Sequence, residues 1–214
     1  MVASWSDQDV ARYRTAVIFR PRNGTVECRF GGEHVAFSPR LRLQAARCSD
    51  AVKACQLSQD DAARYWLGSG PEEEHDHRLP PERDPILLSA DYMAFKGVDD
   101  RVHLLVAYVT LVRCGDGAYD VSGVVHAALR RRGYGREVLE TVCRVAHHHF
   151  GIACLRAWCE TTNVASAGWL ESCGFVQVGP PHQLQLPNGR RADALPWQRV
   201  EPMARQRCRN LTGA

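Results

Sequence analysis

Four arginines and two glycines share the eleven positions from Leu129 to Leu139, LRRRGYGREVL, at the mouth of a helix-like run. Guanidinium forks match phosphate oxygens, and glycines let a backbone approach an anion with no Cβ in the way. A helix that starts near Gly133 adds free N–H groups and the positive end of its dipole. The segment therefore has the chemistry of a phosphate cradle. Two other phosphate motifs are excluded: a dinucleotide fingerprint would want glycine where Val138 stands, and a Walker loop would want Gly-Lys-Ser/Thr.

Such a cradle needs a strand to deliver the chain and a helix to receive it. YDVSGVV (119–125) reads as the strand and residues 133–149 as the helix. Upstream, Ile86–Lys96 and Val102–Cys114 read as strands, with KGVDDR as the turn between them and GDGA (115–118) as the next turn. Downstream come a strand at 152–159, a helix at 163–173, a strand at 174–180 and a last strand near Ala192–Val200. Closer to the N-terminus, RLRLQAA (40–46) alternates as a strand with one wet face, and residues 50–67 read as one or two short helices. Asn23-Gly24 between two β-rich runs in 16–37 suits a hairpin. GSGPEEEHDHRLPPERDP (68–85) is a polar, proline-punctuated loop. The order predicts an α/β protein with a mixed sheet.

Composition narrows the class. Hydrophobic residues make up 45% and charged residues 24% of the 214, which suits one globular domain with a full core. Of 27 basic residues only Lys53 and Lys96 are lysines. That arginine excess fits phosphate recognition and equally a GC-rich genome, and a net charge of +3 does not by itself argue for nucleic acid. Nine cysteines contain no Cys-x-x-Cys pair, so a zinc ribbon is not expected and no metal is called for. The opening MVASWSDQDVARYR lacks the apolar run of a signal peptide, and no stretch is apolar enough to span a bilayer. A reducing, cytoplasmic setting is expected. HHHF (147–150) is expected to satisfy the carbonyl end of its helix, and ARQRCRN (204–210) forms a basic tail.

Arg130-x-x-Gly133-x-Gly135 behind the strand ending Val124-Val125 resembles the pyrophosphate-binding segment of the GNAT superfamily of acyl-CoA-dependent N-acyltransferases. A second motif, NVASAGWLESCGF (163–175), resembles the superfamily's Asn-x-x-Ser/Ala helix closing on Gly-Phe, here Asn163, Ser166, Gly174 and Phe175. RLRL, DAARYWLG (61–68) and RRADALPWQRV look most like the RimJ/RimL branch. The resemblance implies a mixed, mostly antiparallel central sheet flanked by helices over residues 39–200. A β-rich N-terminal extension would occupy 1–38 and a basic C-terminal tail 201–214.

The resemblance also implies a set of site residues. Backbone groups of Gly123, Val124 and Val125 would hold the pantetheine arm of acetyl-CoA. Arg130, Arg131, Arg132, Gly133, Tyr134, Gly135 and Arg136 would surround its pyrophosphate, with Arg131 where the family often has glycine. Asn163 would contact the cofactor from the opposite arm. Many members protonate the departing thiolate from a tyrosine, but that position is Leu170 here, and the RimJ/RimL alternative puts Ser166 in the role. Asp120 falls where that branch often carries a glutamate and is the first candidate base. Glu160, just past a strand, is the second.

The function this implies is acetyl transfer from acetyl-CoA to a primary amine, on a small molecule or a protein N-terminus. Two alternatives stay open: another acyl carrier, such as a different acyl-CoA or an aminoacyl-tRNA, or a CoA-binding module without catalysis. The arginines and basic tail leave an RNA contact open, and the oligomeric state is open with a homodimer among the options. The loop 68–85 is expected to border the acceptor.

Overall fold

The computed structural model describes residues 36–57, 60–68, 90–99, 101 and 104–201. The hairpin expected in 16–37, apart from its last two residues, lies outside them, as do most of the loop 68–85 and the tail 204–210. In chain order the elements are β1 (Ala36–Phe37), β2 (Arg42–Ala45), α1 (Cys48–Leu57), α2 (Asp61–Leu67), β3 (Tyr92–Asp99), β4 (Leu104–Arg113) and β5 (Tyr119–Val125). Then follow α3 (Tyr134–Arg144), β6 (Cys154–Glu160), α4 (Val164–Ser172), β7 (Val176–Gln177), β8 (His182–Gln185) and β9 (Arg191–Val200).

The strands form one sheet in the order β1-β2-β3-β4-β5-β6-β9-β7, with β8 also on β9. Every pairing is antiparallel except β5 with β6, which the α3 crossover connects. That parallel pairing is short: Tyr119 faces Leu155 and Asp120 faces Arg156, and no further pair forms. β5 continues against β4 as far as Val125, and β6 continues against β9 as far as Glu160. The two strands therefore part after their second pair, and the sheet opens into a wedge.

Alternation along the strands sends side chains to two helical layers. Phe95, Val109 and Leu111 face α3, whose Val138, Leu139, Val142 and Cys143 recur at helical spacing and are fully buried. Ala94, Tyr108 and Val124 face the other way, against Ala54 and Leu57 of α1. α3 is fastened at its first turn as well. Glu137 accepts from the Ser38 hydroxyl at 2.5 Å, the Arg40 backbone N–H at 2.9 Å and Arg40 Nε at 2.7 Å.

Four sequence expectations change. The 40–46 run that contains β2 keeps only part of its wet face: Arg40 and Arg42 stay partly exposed while Leu41 and Leu43 are buried, but Gln44, on the arginine face, is buried too. KGVDDR is not wholly a turn, since β3 runs on through Lys96–Asp99 and buries Asp99 against Arg101 and the Tyr134 hydroxyl. The strand expected at 174–180 is only Val176–Gln177, and β8 was not anticipated at all. It pairs with β9 across a turn at Pro187-Asn188-Gly189, a turn signal present in the sequence. Residues 145–149 form a π-helical turn in which His147 is buried, its Nδ1 2.6 Å from the Ile152 carbonyl oxygen. None of the described helices is long and apolar enough to cross a membrane.

Candidate active site

The wedge between β5 and β6 holds a cavity of about 610 Å³. Val121–Val125 and Ala157–Glu160 form its two arms, the starts of α3 and α4 lie across it, and Ala62, Ala63, Trp66 and Leu67 of α2 wall another side. Where the strands part, their facing backbone groups have lost their ladder partners, so the arms offer hydrogen bonds to a ligand. The Val125 carbonyl is one such group, and it accepts from Arg130 Nε at 3.0 Å.

The loop before α3 bends sharply where it borders the cavity. Arg131 has φ +64° and Gly133 has φ +80°, both left-handed. Glycine takes that conformation freely; an arginine does so at a cost of about 1 kcal/mol. Gly133 is the N-cap of α3 and has no side chain to satisfy the first turn's N–H groups. Arg130, Arg131, Gly133, Gly135 and Arg136 all border the cavity, and Trp169 of α4 closes over Gly135. The concentration of donors and positive charge suits a phosphate.

Two members of the expected cradle turn their side chains elsewhere. Arg132 is exposed and outside the cavity lining, and its carbonyl accepts from Arg40 Nη1 at 3.0 Å. The Tyr134 hydroxyl donates to Asp99 Oδ2 at 2.9 Å, and its ring stacks beneath the Arg40 guanidinium at 4.2 Å. Both contacts lie far along the chain, so local sequence could not reveal them. Arg130 borders the cavity yet is already engaged: its Nη1 and Nη2 donate to the two carboxylate oxygens of Asp60, at 2.8 and 2.6 Å.

On the opposite arm, Asn163 caps α4, its side-chain oxygen accepting from the Ser166 N–H at 3.0 Å. Ser166 borders the cavity, with its hydroxyl within reach of the Cys159 thiol, whose pKa burial raises. Leu170 is buried and carries no proton to give.

The two carboxylates separate. Asp120 stands at the point where the strands part, beside Arg156 Nε at 3.4 Å, and does not border the cavity. The register explains this, because Asp120 and Arg156 are the last facing pair before the wedge opens. Glu160 does border it, but Arg190 Nη2 lies 2.7 Å from its Oε2 and the Thr162 hydroxyl donates to its Oε1 at 3.2 Å. The Arg190 hydrogen bond holds the Glu160 carboxyl below the usual range. Sequence reasoning had missed Asp60, Arg190, Cys159 and the cavity tryptophans Trp66, Trp158 and Trp169 as site residues. Trp66, Trp169 and Arg190 lay inside the motifs DAARYWLG, NVASAGWLESCGF and RRADALPWQRV, but none of the three had been given a role there. Among the described residues, no cluster of three or more His, Cys, Asp or Glu side chains fits a metal ion.

Comparison with known proteins accords with this geometry. Solved structures with the same fold include a GNAT-family acetyltransferase from Bacillus anthracis, with TM-score 0.61 and 16% identity over 75% of this chain and 95% of that one. Ribosomal-protein-S5-alanine acetyltransferase from Vibrio fischeri gives 0.59 and 17%, over 78% and 96%. Spermidine N-acetyltransferase from Vibrio cholerae, solved with CoA and spermine, gives 0.61 and 15%, over 77% and 98%. No curated protein matches by sequence. The acetyltransferase (GNAT) family matches residues 55–175, more than half of the chain and both arms of the wedge. This chain belongs to the GNAT family of acetyltransferases and is an acyltransferase by family.

Proposed function

We propose that this chain moves an acetyl group from acetyl-CoA to a primary amine by direct attack on the thioester. What carries the reading is one juxtaposition: an opened strand pair with unpaired backbone groups meets a left-handed, arginine-bearing helix start on a single cavity. Gly123, Val124 and Val125 offer backbone hydrogen bonds to a pantetheine amide chain. The N–H groups from Gly133 to Gly135, with Arg130, Arg131 and Arg136, receive the diphosphate. Asn163 shapes the opposite arm by capping α4.

In the transfer, the neutral amine nitrogen bonds to the carbonyl carbon and the carbon–sulfur bond breaks. The electron pair goes to sulfur, and the Ser166 hydroxyl donates the proton that makes the free thiol, then regains one from water. The proton lost by the amine nitrogen passes to that water, so the net transfer is from amine to thiol and Ser166 ends as it began. Glu160, kept ionised by Arg190, is better suited to hold the incoming ammonium than to deprotonate it. Asp120 stands beside Arg156, and neither side chain borders the cavity, so this reading gives Asp120 no step. The acceptor side of the cavity presents Trp66, Trp158 and Leu67, which favours an amine carried on an apolar or aromatic body.

The test is incubation with acetyl-CoA and tyramine, spermidine or an alanine-terminated peptide, following thiol release and product mass. Acetylated amine, formed only with acetyl-CoA present, supports the proposal. CoA binding with no transfer to any amine favours a binding module. Transfer only from a different acyl carrier changes the donor.

A further inference from the structure

α2 is the wall of the cavity that belongs to neither arm, and two long-range ties hold it there. At its start, Asp60 is the N-cap, its Oδ1 accepting from the Ala63 N–H at 3.2 Å, while the same carboxylate takes both terminal nitrogens of Arg130. Arg130 in turn donates Nε to the Val125 carbonyl at the end of β5. At the other end of α2, Arg190 Nη2 donates to the Tyr65 carbonyl at 2.8 Å and to Glu160 at the end of β6, with its guanidinium over the Tyr65 ring at 4.1 Å. The helix is strapped across the wedge, one end to each arm.

The first strap has a property the second lacks. A guanidinium carries five N–H donors in a rigid plane. Arg130 uses one on Val125 and one from each terminal nitrogen on Asp60, so two remain on a side chain that borders the cavity beside the diphosphate loop. The same group can therefore meet the donor substrate and the acceptor wall at once.

We infer that Asp60 is a positioning residue that acts through Arg130, coupling occupation of the diphosphate loop to the placement of the acceptor wall Ala62–Leu67. This rests on the CoA-binding reading above. With a diphosphate on the loop, Arg130 is held from both sides, and α2 is held with it through Asp60. The acceptor wall is then best formed when the donor is present. Asp60 touches neither reacting atom; its effect passes through the guanidinium and through the helix cap.

Asp60→Asn is the informative variant, because asparagine caps a helix as well as aspartate but lacks the charge for the paired bridge. Hydrogen exchange is read at residues 62–67 in the free protein and with CoA. In the parent, CoA slows exchange there. In Asp60→Asn, exchange is about fivefold faster without ligand, a size suited to a half-exposed ion pair, and CoA still binds but no longer slows it. An Asp60→Asn change added to Arg130→Gln has no further effect. A purely structural role for Asp60 would lower the melting temperature and leave the CoA-induced protection in place. The proposal is overturned if Asp60→Asn exchanges like the parent, or if its effect is undiminished in the Arg130→Gln background. If CoA does not bind the parent, the functional reading fails by itself, while the comparison in the free protein still decides whether Asp60 holds α2 through Arg130.

Discussion

Arg190 Nη2 sits 2.7 Å from Glu160 Oε2 and 2.8 Å from the Tyr65 carbonyl, so one guanidinium joins a strand end to the acceptor helix. That bond lowers the Glu160 pKa in the folded state. The pair's contribution is then fully present above the unfolded carboxylate's pKa and lost as pH falls through the lower folded value. Glu160→Gln should melt a few degrees below the parent at pH 7, and the gap should close on acidification below about pH 4.5. Thermal melts of both proteins across pH 3 to 8, with roughly constant ionic strength, check this. A gap that widens in acid would contradict the pairing.

Ser166→Ala should fold normally, because Asn163 caps α4 through the Ser166 backbone N–H and not its hydroxyl. Loss of a proton donor that acts in the transition state should lower kcat roughly 10²-fold with CoA affinity little changed. Single-turnover kinetics on the parent and variant separate the two terms. Equal chemical rates would remove the hydroxyl from the mechanism.

Arg131→Gly should move stability and binding in opposite directions. The residue sits at φ +64°, where glycine is unstrained, so the variant should gain about 1 kcal/mol of stability. It also loses a cation beside the diphosphate loop, and CoA affinity should fall several-fold, more so at low salt. Calorimetric titration with CoA at two salt concentrations, together with thermal melts, reads both effects.

Burial favours the neutral form of two histidines in the π-helical turn that follows α3. It pushes His149 down to about 4 and lowers His147 as well. A base with a depressed folded pKa is protonated first in the unfolded chain. Stability from these groups is therefore complete above about pH 6.5 and declines as pH falls. For His149 alone the loss by pH 4 is about 3 kcal/mol. His149→Phe, which keeps an aromatic ring against Phe150, should flatten that part of the curve.

The elements most legible in the sequence were those whose signals are local. β5 was read to the residue, since YDVSGVV is bounded by a glycine turn and a helix start, and the helix after Asn163 carries its own cap. β2 was read in part: Arg-Leu alternation identified Leu41 and Leu43 as the buried face, but it could not show that tertiary packing also covers Gln44. The loop glycines and Arg131 showed where the backbone must turn. Asp60 and Arg190 were invisible because each acts on a partner from a distant part of the chain, Arg130 and Glu160. Asp120 ranked ahead of Glu160 in sequence, but the strand register leaves Asp120 at the seam and only Glu160 on the cavity.

The short β5–β6 pairing has a mechanical meaning. The sheet is two plates, β1–β5 and β6–β9, that share a seam two residues long. Apart from helical packing, little backbone bonding resists a hinge motion about that seam. A molecule lying in the wedge and bonding to both inner edges would brace the plates against each other. Its release would leave the seam as the only strand pairing, among the described residues, between the two plates.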